Sequence, residues 1–199
     1  SFFGCLPFIF SGSIPGFVDS FFESVSGFTT TGSTILTDIE VLPKSILFWR
    51  SFTHWIGGMG VLVFVLAISS LSGGNSLHLI RAESTGPAPG KLVPKIRQTA
   101  KILYLIYIAM TILEVILLLF GGLSLYDSLI HAMGTAGTGG FSNYNSSAAN
   151  FSPYVQTVIG IFMVLFSFNF NFFYLLLIRK FAQVRKFEEV WVFVGIVLF

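Results

Sequence analysis

Hydrophobic and polar positions along this chain fall into long blocks rather than short alternations. Three blocks are long and apolar enough to read as bilayer-crossing helices, roughly Lys44 to Leu71, Ile102 to Leu123 and Tyr154 to Ile178. Two further blocks, Phe17 to Phe28 and Leu125 to Ala136, are too short to cross, and each is followed by a Gly/Thr-rich run. This pattern predicts half-helices that enter a membrane and turn back. The non-helical backbone after them must then be buried in protein or face water, because lipid cannot satisfy its amides and carbonyls.

The blocks also repeat. Asp19-Ser20 recurs as Asp127-Ser128, and at the same offset of 108 Thr30-Thr31-Gly32 recurs as Thr138-Gly139-Gly140. In each copy an acidic residue opens a short apolar helix, a Thr/Gly run follows, then a polar loop containing proline, then a long span. The expected fold class is an all-α polytopic membrane protein built of helix, pore helix, filter loop, helix repeats. Its expected divisions are residues 1–75, a first pore repeat of pore helix, filter and following span without its leading helix; 76–101, a basic linker; 102–180, a complete second repeat; and 181–199, a further linker with the start of a third. The closing run Trp191 to Phe199 is too short to cross and reads as a span cut off, so the chain reads as a fragment. Phe2 to Phe10 has neither a basic n-region nor a small-residue cleavage site and is not read as a signal peptide.

Composition narrows the class. Of 199 residues 54% are hydrophobic and 10% charged, with 24 phenylalanines, and the mean hydropathy is +0.83; soluble domains carry about 25% charged residues. The single cysteine, Cys5, excludes a disulfide scaffold, and a net charge of +2 without a basic, aromatic-lined stripe excludes nucleic acid as a partner. Of the 11 Lys and Arg residues, Arg81, Lys91, Lys95, Arg97 and Lys101 cluster in one linker and Arg179, Lys180, Arg185 and Lys186 in the other. Both linkers are therefore expected to be cytoplasmic, while Ser33 to Pro43 and Ser142 to Pro153, with no basic residue, face outside.

The candidate chemistry lies in the two Thr/Gly runs. A pore helix that starts outside and ends near the midplane turns its C-terminal carbonyls, with their partial negative charge, towards a cation. Small residues and threonines suit an extended loop whose carbonyls replace an ion's hydration shell, and the lack of carboxylates argues against a calcium or magnesium cage. The candidate ion ligands are the carbonyls of Thr30, Thr31, Gly32, Thr138, Gly139 and Gly140. Asp19 and Asp127 stand where an N-cap or first-turn acid offsets the positive helix end, and read as caps rather than as ion ligands. Arg50 reads either as snorkelling to the interface between Trp49 and Trp55 or as pairing with Asp19 or Glu23 behind the filter as a support.

Glu114, in mid-span, demands a partner, whether in helix packing or ion passage. His54 and His131 have no second ligand at metal spacing and read as packed polar histidines. Gly57, Gly58 and Gly60 read as helix-packing positions, Asn169 and Asn171 as hydrogen-bonding groups of the third span, and Asn145 and Asn150 as chance glycosylation sequons. The run Gly134 to Gly140 lacks the spacing of a nucleotide loop. An intramembrane enzyme using Glu23, His131 or Glu114 is an alternative, although these do not form a nucleophile, base and orienter set.

Phe22-Glu23-Ser24-Val25-Ser26-Gly27-Phe28-Thr29-Thr30-Thr31-Gly32, Phe48-Trp49-Arg50-Ser51-Phe52-Thr53-His54-Trp55-Ile56-Gly57-Gly58-Met59-Gly60, Lys91-Leu92-Val93-Pro94-Lys95-Ile96-Arg97 and Gly137-Thr138-Gly139-Gly140-Phe141-Ser142 together resemble the Trk/Ktr/HKT superfamily of potassium transporters, in particular its bacterial TrkH branch. The resemblance covers nearly the whole chain. It implies four non-identical repeats around one pore, one filter glycine per repeat, here Gly32 and Gly140, with K⁺ as the transported ion and no catalytic residue or covalent cofactor. It further implies a bacterial cytoplasmic (inner) membrane, membrane lipid around the spans, a homodimer, and a cytosolic nucleotide-binding regulatory ring. Channel-like flow and symport with H⁺ or Na⁺ both fit it. The chain would hold the later part of the first repeat, the second, and the start of the third, which leaves open a non-conducting subunit that only assembles with others.

Overall fold

The computed structural model describes residues 1–71, 93–177, 179–180 and 188–198. Among them the regular structure is helical, with no strand: α1 (Phe2–Phe10), α2 (Phe17–Phe28), α3 (Lys44–Leu71), α4 (Val93–Phe120), α5 (Leu125–Ala136), α6 (Pro153–Ser167), α7 (Phe170–Leu177) and α8 (Glu188–Leu198). The basic residues Arg81, Lys91, Arg185 and Lys186 lie outside the described residues.

Two compact units result, Ser1–Met59 with Tyr107–Phe168, and Gly60–Ile106 with Asn169–Phe199. The first holds both half-helices and both Thr/Gly loops. The second holds α7 and α8; Leu103 and Val190 are buried there, and Phe170 and Phe172 pack their rings on Phe173 at centroid distances of 5.9 and 5.5 Å.

Three features depart from the sequence expectation. α4 begins at Val93, well before its apolar stretch, so the last part of the expected 76–101 linker is helix. Pro94 is tolerated in a first helical turn, and Lys, Ile, Arg and Gln all have fair to good helix propensity. Within α4, Lys101–Phe120, 20 residues of mean hydropathy 2.6, is long and apolar enough to cross a bilayer by itself. The expected third span, Tyr154 to Ile178, is not one helix: it stops at Ser167, Phe168 is extended (φ −70°, ψ 148°), and α7 starts afresh at Phe170. Ser167 turns its hydroxyl back on the Met163 carbonyl at 2.7 Å, and Asn169 stands where asparagine is a favoured cap. Finally, the first repeat does have a helix ahead of α2. α1 stands before it as the last turns of α4 stand before α5, and both leading helices stop at a glycine of positive φ, Gly12 at 69° and Gly122 at 88°.

Apolar burial adds little to association where the surroundings are themselves apolar, so close backbone approach and hydrogen bonds hold such helices together. Ser24 Oγ on α2 donates to the Ser1 carbonyl at 2.8 Å, and Trp49 Nε1 on α3 donates to the Gly4 carbonyl of α1 at 2.9 Å. Phe8, Ile14, Leu42, Ile46 and Leu47 form an apolar cluster beside the C-terminal end of α1 and the N-terminal ends of α2 and α3. Across the repeat, Tyr126 at the start of α5 donates its hydroxyl to the Lys44 carbonyl at 2.7 Å.

Candidate functional site

Each half-helix ends in the same unusual way. Thr30 N–H returns to the Gly27 carbonyl (3.0 Å) and Thr31 N–H to the Ser26 carbonyl (3.0 Å), while Thr138 N–H returns to the Thr135 carbonyl (2.8 Å). These bonds require a left-handed residue just past the helix, a place that glycine normally fills. Here it is threonine, with φ 54° at Thr30 and 57° at Thr138. A left-handed L-residue costs roughly 1–2 kcal/mol, and β-branching makes threonine a poor choice. Two residues on, glycine takes the next positive φ, 76° at Gly32 and 75° at Gly140. A strand whose φ alternates in sign can turn successive carbonyls to one side, which is the arrangement a carbonyl ion site uses.

The two loops meet. A Cβ on Gly32 would overlap the Gly139 carbonyl oxygen, and one on Gly139 would stand 2.7 Å from the Thr30 carbonyl oxygen. Thr31 and Thr138 remain exposed at this junction, and the Thr29 and Thr31 hydroxyls bond to each other at 2.8 Å.

One face of α3 supports both loops. Arg50 is almost wholly buried; its Nε donates to Glu23 Oε1 at 2.5 Å on the first half-helix, and its Nη1 donates to the Ser142 carbonyl at 3.0 Å just past the second loop. Its guanidinium also lies 3.8 Å from the Phe141 ring centroid. Glu23 in turn accepts the Thr34 hydroxyl at 3.0 Å and the Ile35 N–H at 3.3 Å, past the first loop. One turn along, the His54 ring packs on Phe141 at 4.4 Å and against Gly137 and Gly139. A further turn along, Gly57 lets the Phe28 carbonyl approach, and Gly58 lets in the Ala136 carbonyl and the Tyr107 hydroxyl.

Of the residues singled out from sequence, Glu23, Arg50 and the six Thr/Gly positions thus share one site. Asp19 stands apart from Arg50's hydrogen bonds, in the first turn of α2, whose cap Gly16 offers no side chain. Asp127 lies in the first turn of α5, but the cap there is Ser124: its Oγ accepts the Asp127 N–H at 3.1 Å and donates to Asp127 Oδ2 at 2.6 Å. Asn145, read as a chance sequon, ties together the segments that follow the two Thr/Gly loops by accepting the Ile39 N–H at 2.8 Å and donating to Asp38 Oδ1 at 2.8 Å. Ser142, Thr34 and Phe141 went unrecognised in sequence. The 108-residue offset pairs Thr34 with Ser142 and could have found those two.

A family model described as TrkH, cation transport protein, matches residues 2–193. The chain belongs to the TrkH family of cation transport proteins. It is 40% identical to the Trk system potassium uptake protein TrkH of Salmonella typhimurium over 98% of its own length and 41% of that protein's. It is also 40% identical to an uncharacterized cation transporter of Methanocaldococcus jannaschii, over 91% of this chain and 38% of that one. Among solved structures, the potassium transporter TrkH from Vibrio parahaemolyticus matches with a TM-score of 0.69 at 30% identity, covering 86% of this chain and 34% of that one. This TrkH-family chain therefore spans about two fifths of the length of its curated relatives. It is an all-α polytopic membrane protein of a family of transporters, not enzymes, which removes the intramembrane-enzyme alternative.

Proposed function

We propose that the loops at Thr30 to Gly32 and Thr138 to Gly140 are two filter elements of a potassium uptake pore. A dehydrated K⁺ is held by the carbonyls of Thr30, Thr31, Gly32, Thr138, Gly139 and Gly140, and the C-terminal ends of α2 and α5 favour its charge. The observation that carries this reading is the matched pair of left-handed Thr and Gly positions in two loops that touch each other. Backbone held in costly conformations twice over, at the same register of a repeat, is the mark of a functional constraint. The names of the relatives, potassium uptake proteins, support the choice of ion. Arg50 and Glu23 serve as the support behind the filters.

In this reading the filters face the outside of a bacterial inner membrane and the basic linkers the cytoplasm. The complete subunit pairs as a homodimer and is governed by a cytosolic nucleotide-binding ring.

The test is Rb⁺ uptake in cells lacking their own potassium uptake systems, expressing this chain together with the remainder of a TrkH-family subunit. Gly32→Ser and Gly140→Ser should each depress uptake or admit Na⁺, because a Cβ at either position is strained and at Gly32 meets the opposite loop. Uptake and selectivity unchanged in both variants, or no uptake from well-inserted assemblies, would sink the reading.

A further inference from the structure

Glu114 sits inside the Lys101–Phe120 stretch of α4, wholly buried, and neither carboxyl oxygen has a hydrogen-bond partner among the described residues. Thr135, in the last turn of α5, is a polar side chain near it. That hydroxyl already donates its hydrogen to the His131 carbonyl at 2.8 Å, so lone pairs are what it has left to offer a neighbouring group. Ser128 Oγ on α5 is without a partner among the described residues and makes no hydrogen bond to Glu114, and the other nearby polar groups of these helices are committed. Thr111, one turn before Glu114, donates to the Tyr107 carbonyl at 2.9 Å and accepts Trp55 Nε1 at 3.2 Å. His131 uses Nδ1 on the Asp127 carbonyl and Nε2 on Ser142 Oγ. The Arg50 guanidinium is divided between Glu23 and the Ser142 carbonyl.

An ionised carboxylate here would be an acceptor facing acceptors, without a counter-charge, in a setting where an unpaired charge costs several kcal/mol at least. A carboxylic acid O–H has a ready partner in Thr135 Oγ1. We infer that Glu114 is a proton-binding site, a neutral carboxylic acid whose O–H donates to Thr135 Oγ1 and holds the last turn of α5, on which the second Thr/Gly loop stands. The bound proton thereby acts as a positioning element for Thr138 to Gly140. The inference goes beyond the permeation reading and does not depend on it.

The experiment is infrared spectroscopy of the full-length subunit in lipid, comparing wild type with Glu114→Gln and Thr135→Val. The wild type should carry a carbonyl stretch of a protonated carboxylic acid that disappears in Glu114→Gln and moves to higher frequency in Thr135→Val, where the hydrogen-bond acceptor is lost. A Glu114→Gln spectrum that loses only carboxylate bands overturns the inference. So does failure of Glu114→Gln to fold, since the amide is the near-isostere of a neutral acid. An acid band that Thr135→Val leaves in place overturns the assigned partner. None of these readouts uses transport, so a failed filter reading would leave them unchanged.

Discussion

Glu23 and His131 occupy the same place in the two repeats. Each is the seventh residue of its half-helix, and each reaches a hydroxyl just past its Thr/Gly loop: Thr34 Oγ1 donates to the Glu23 carboxylate at 3.0 Å, and His131 Nε2 lies 3.1 Å from Ser142 Oγ. The same strut is therefore built with two chemistries. Only the first carries a charge that Arg50 answers, and Arg50 then ties the charged strut to the backbone of the other repeat at the Ser142 carbonyl.

This difference predicts unequal costs. Glu23→Gln strands the guanidinium of a residue only 2% exposed, and breaking a buried ion pair from one side costs about 3–5 kcal/mol. His131→Gln exchanges one neutral hydrogen-bonding group for another and should cost about 1 kcal/mol. Thermal unfolding of the two variants in the same detergent should give a much larger loss for Glu23→Gln; equal losses would mean that the Arg50 pair is not what holds the first Thr/Gly loop.

Arg50→Lys tests the bridge itself. A lysine ammonium can meet the Glu23 carboxylate or the Ser142 carbonyl, but it lacks the planar fork that serves both, and it does not lie on the Phe141 ring as a guanidinium does. The variant should retain part of the stability lost in Glu23→Gln and still lower Rb⁺ uptake several-fold. Wild-type uptake in Arg50→Lys would show that one anchored filter suffices.

Thr30→Gly and Thr138→Gly are expected to separate stability from function. Each removes the cost of a left-handed threonine, so each should raise stability by about 1 kcal/mol where the hydroxyl does no structural work. If these residues stand at a filter, the same variants should lose discrimination between K⁺ and Na⁺, the usual exchange when strain belongs to a site. Competition of Na⁺ with Rb⁺ uptake, measured beside unfolding midpoints, checks both halves.

Much of this arrangement was legible in sequence because it rests on local patterns. The bounds of both half-helices, the glycines Gly32 and Gly140 and the 108-residue offset all follow from apolar block length and from residues with special backbone freedom. The Arg50 to Glu23 pair was open against Asp19 because both acids lie on one short helix and sequence spacing does not say which faces α3. The likeness of Glu23 and His131 was hidden because the offset aligns residues of different chemistry, and only the shared geometry to Thr34 and Ser142 makes them counterparts. The break at Phe168 went unseen because the apolar block runs on through it, and hydropathy does not register a serine hydroxyl turned back on its own helix.

The contact between His54 and the second Thr/Gly loop gives the sharpest double-variant test. A Cβ at Gly139 would overlap His54 Nε2 and stand 2.7 Å from the Thr30 carbonyl oxygen, so Gly139→Ala is blocked from two sides, one a side chain and one backbone. Gly139→Ala alone should abolish uptake. His54→Ala removes the first obstruction and leaves the second, so the double variant should regain part of the stability lost in Gly139→Ala but little of the uptake. The coupling between the two should fall in the range of about 0.5–3 kcal/mol found for residues in direct contact. Unfolding midpoints for the wild type, both single variants and the double variant give that coupling directly, and strictly additive losses would mean that His54 does not abut the second loop at Gly139.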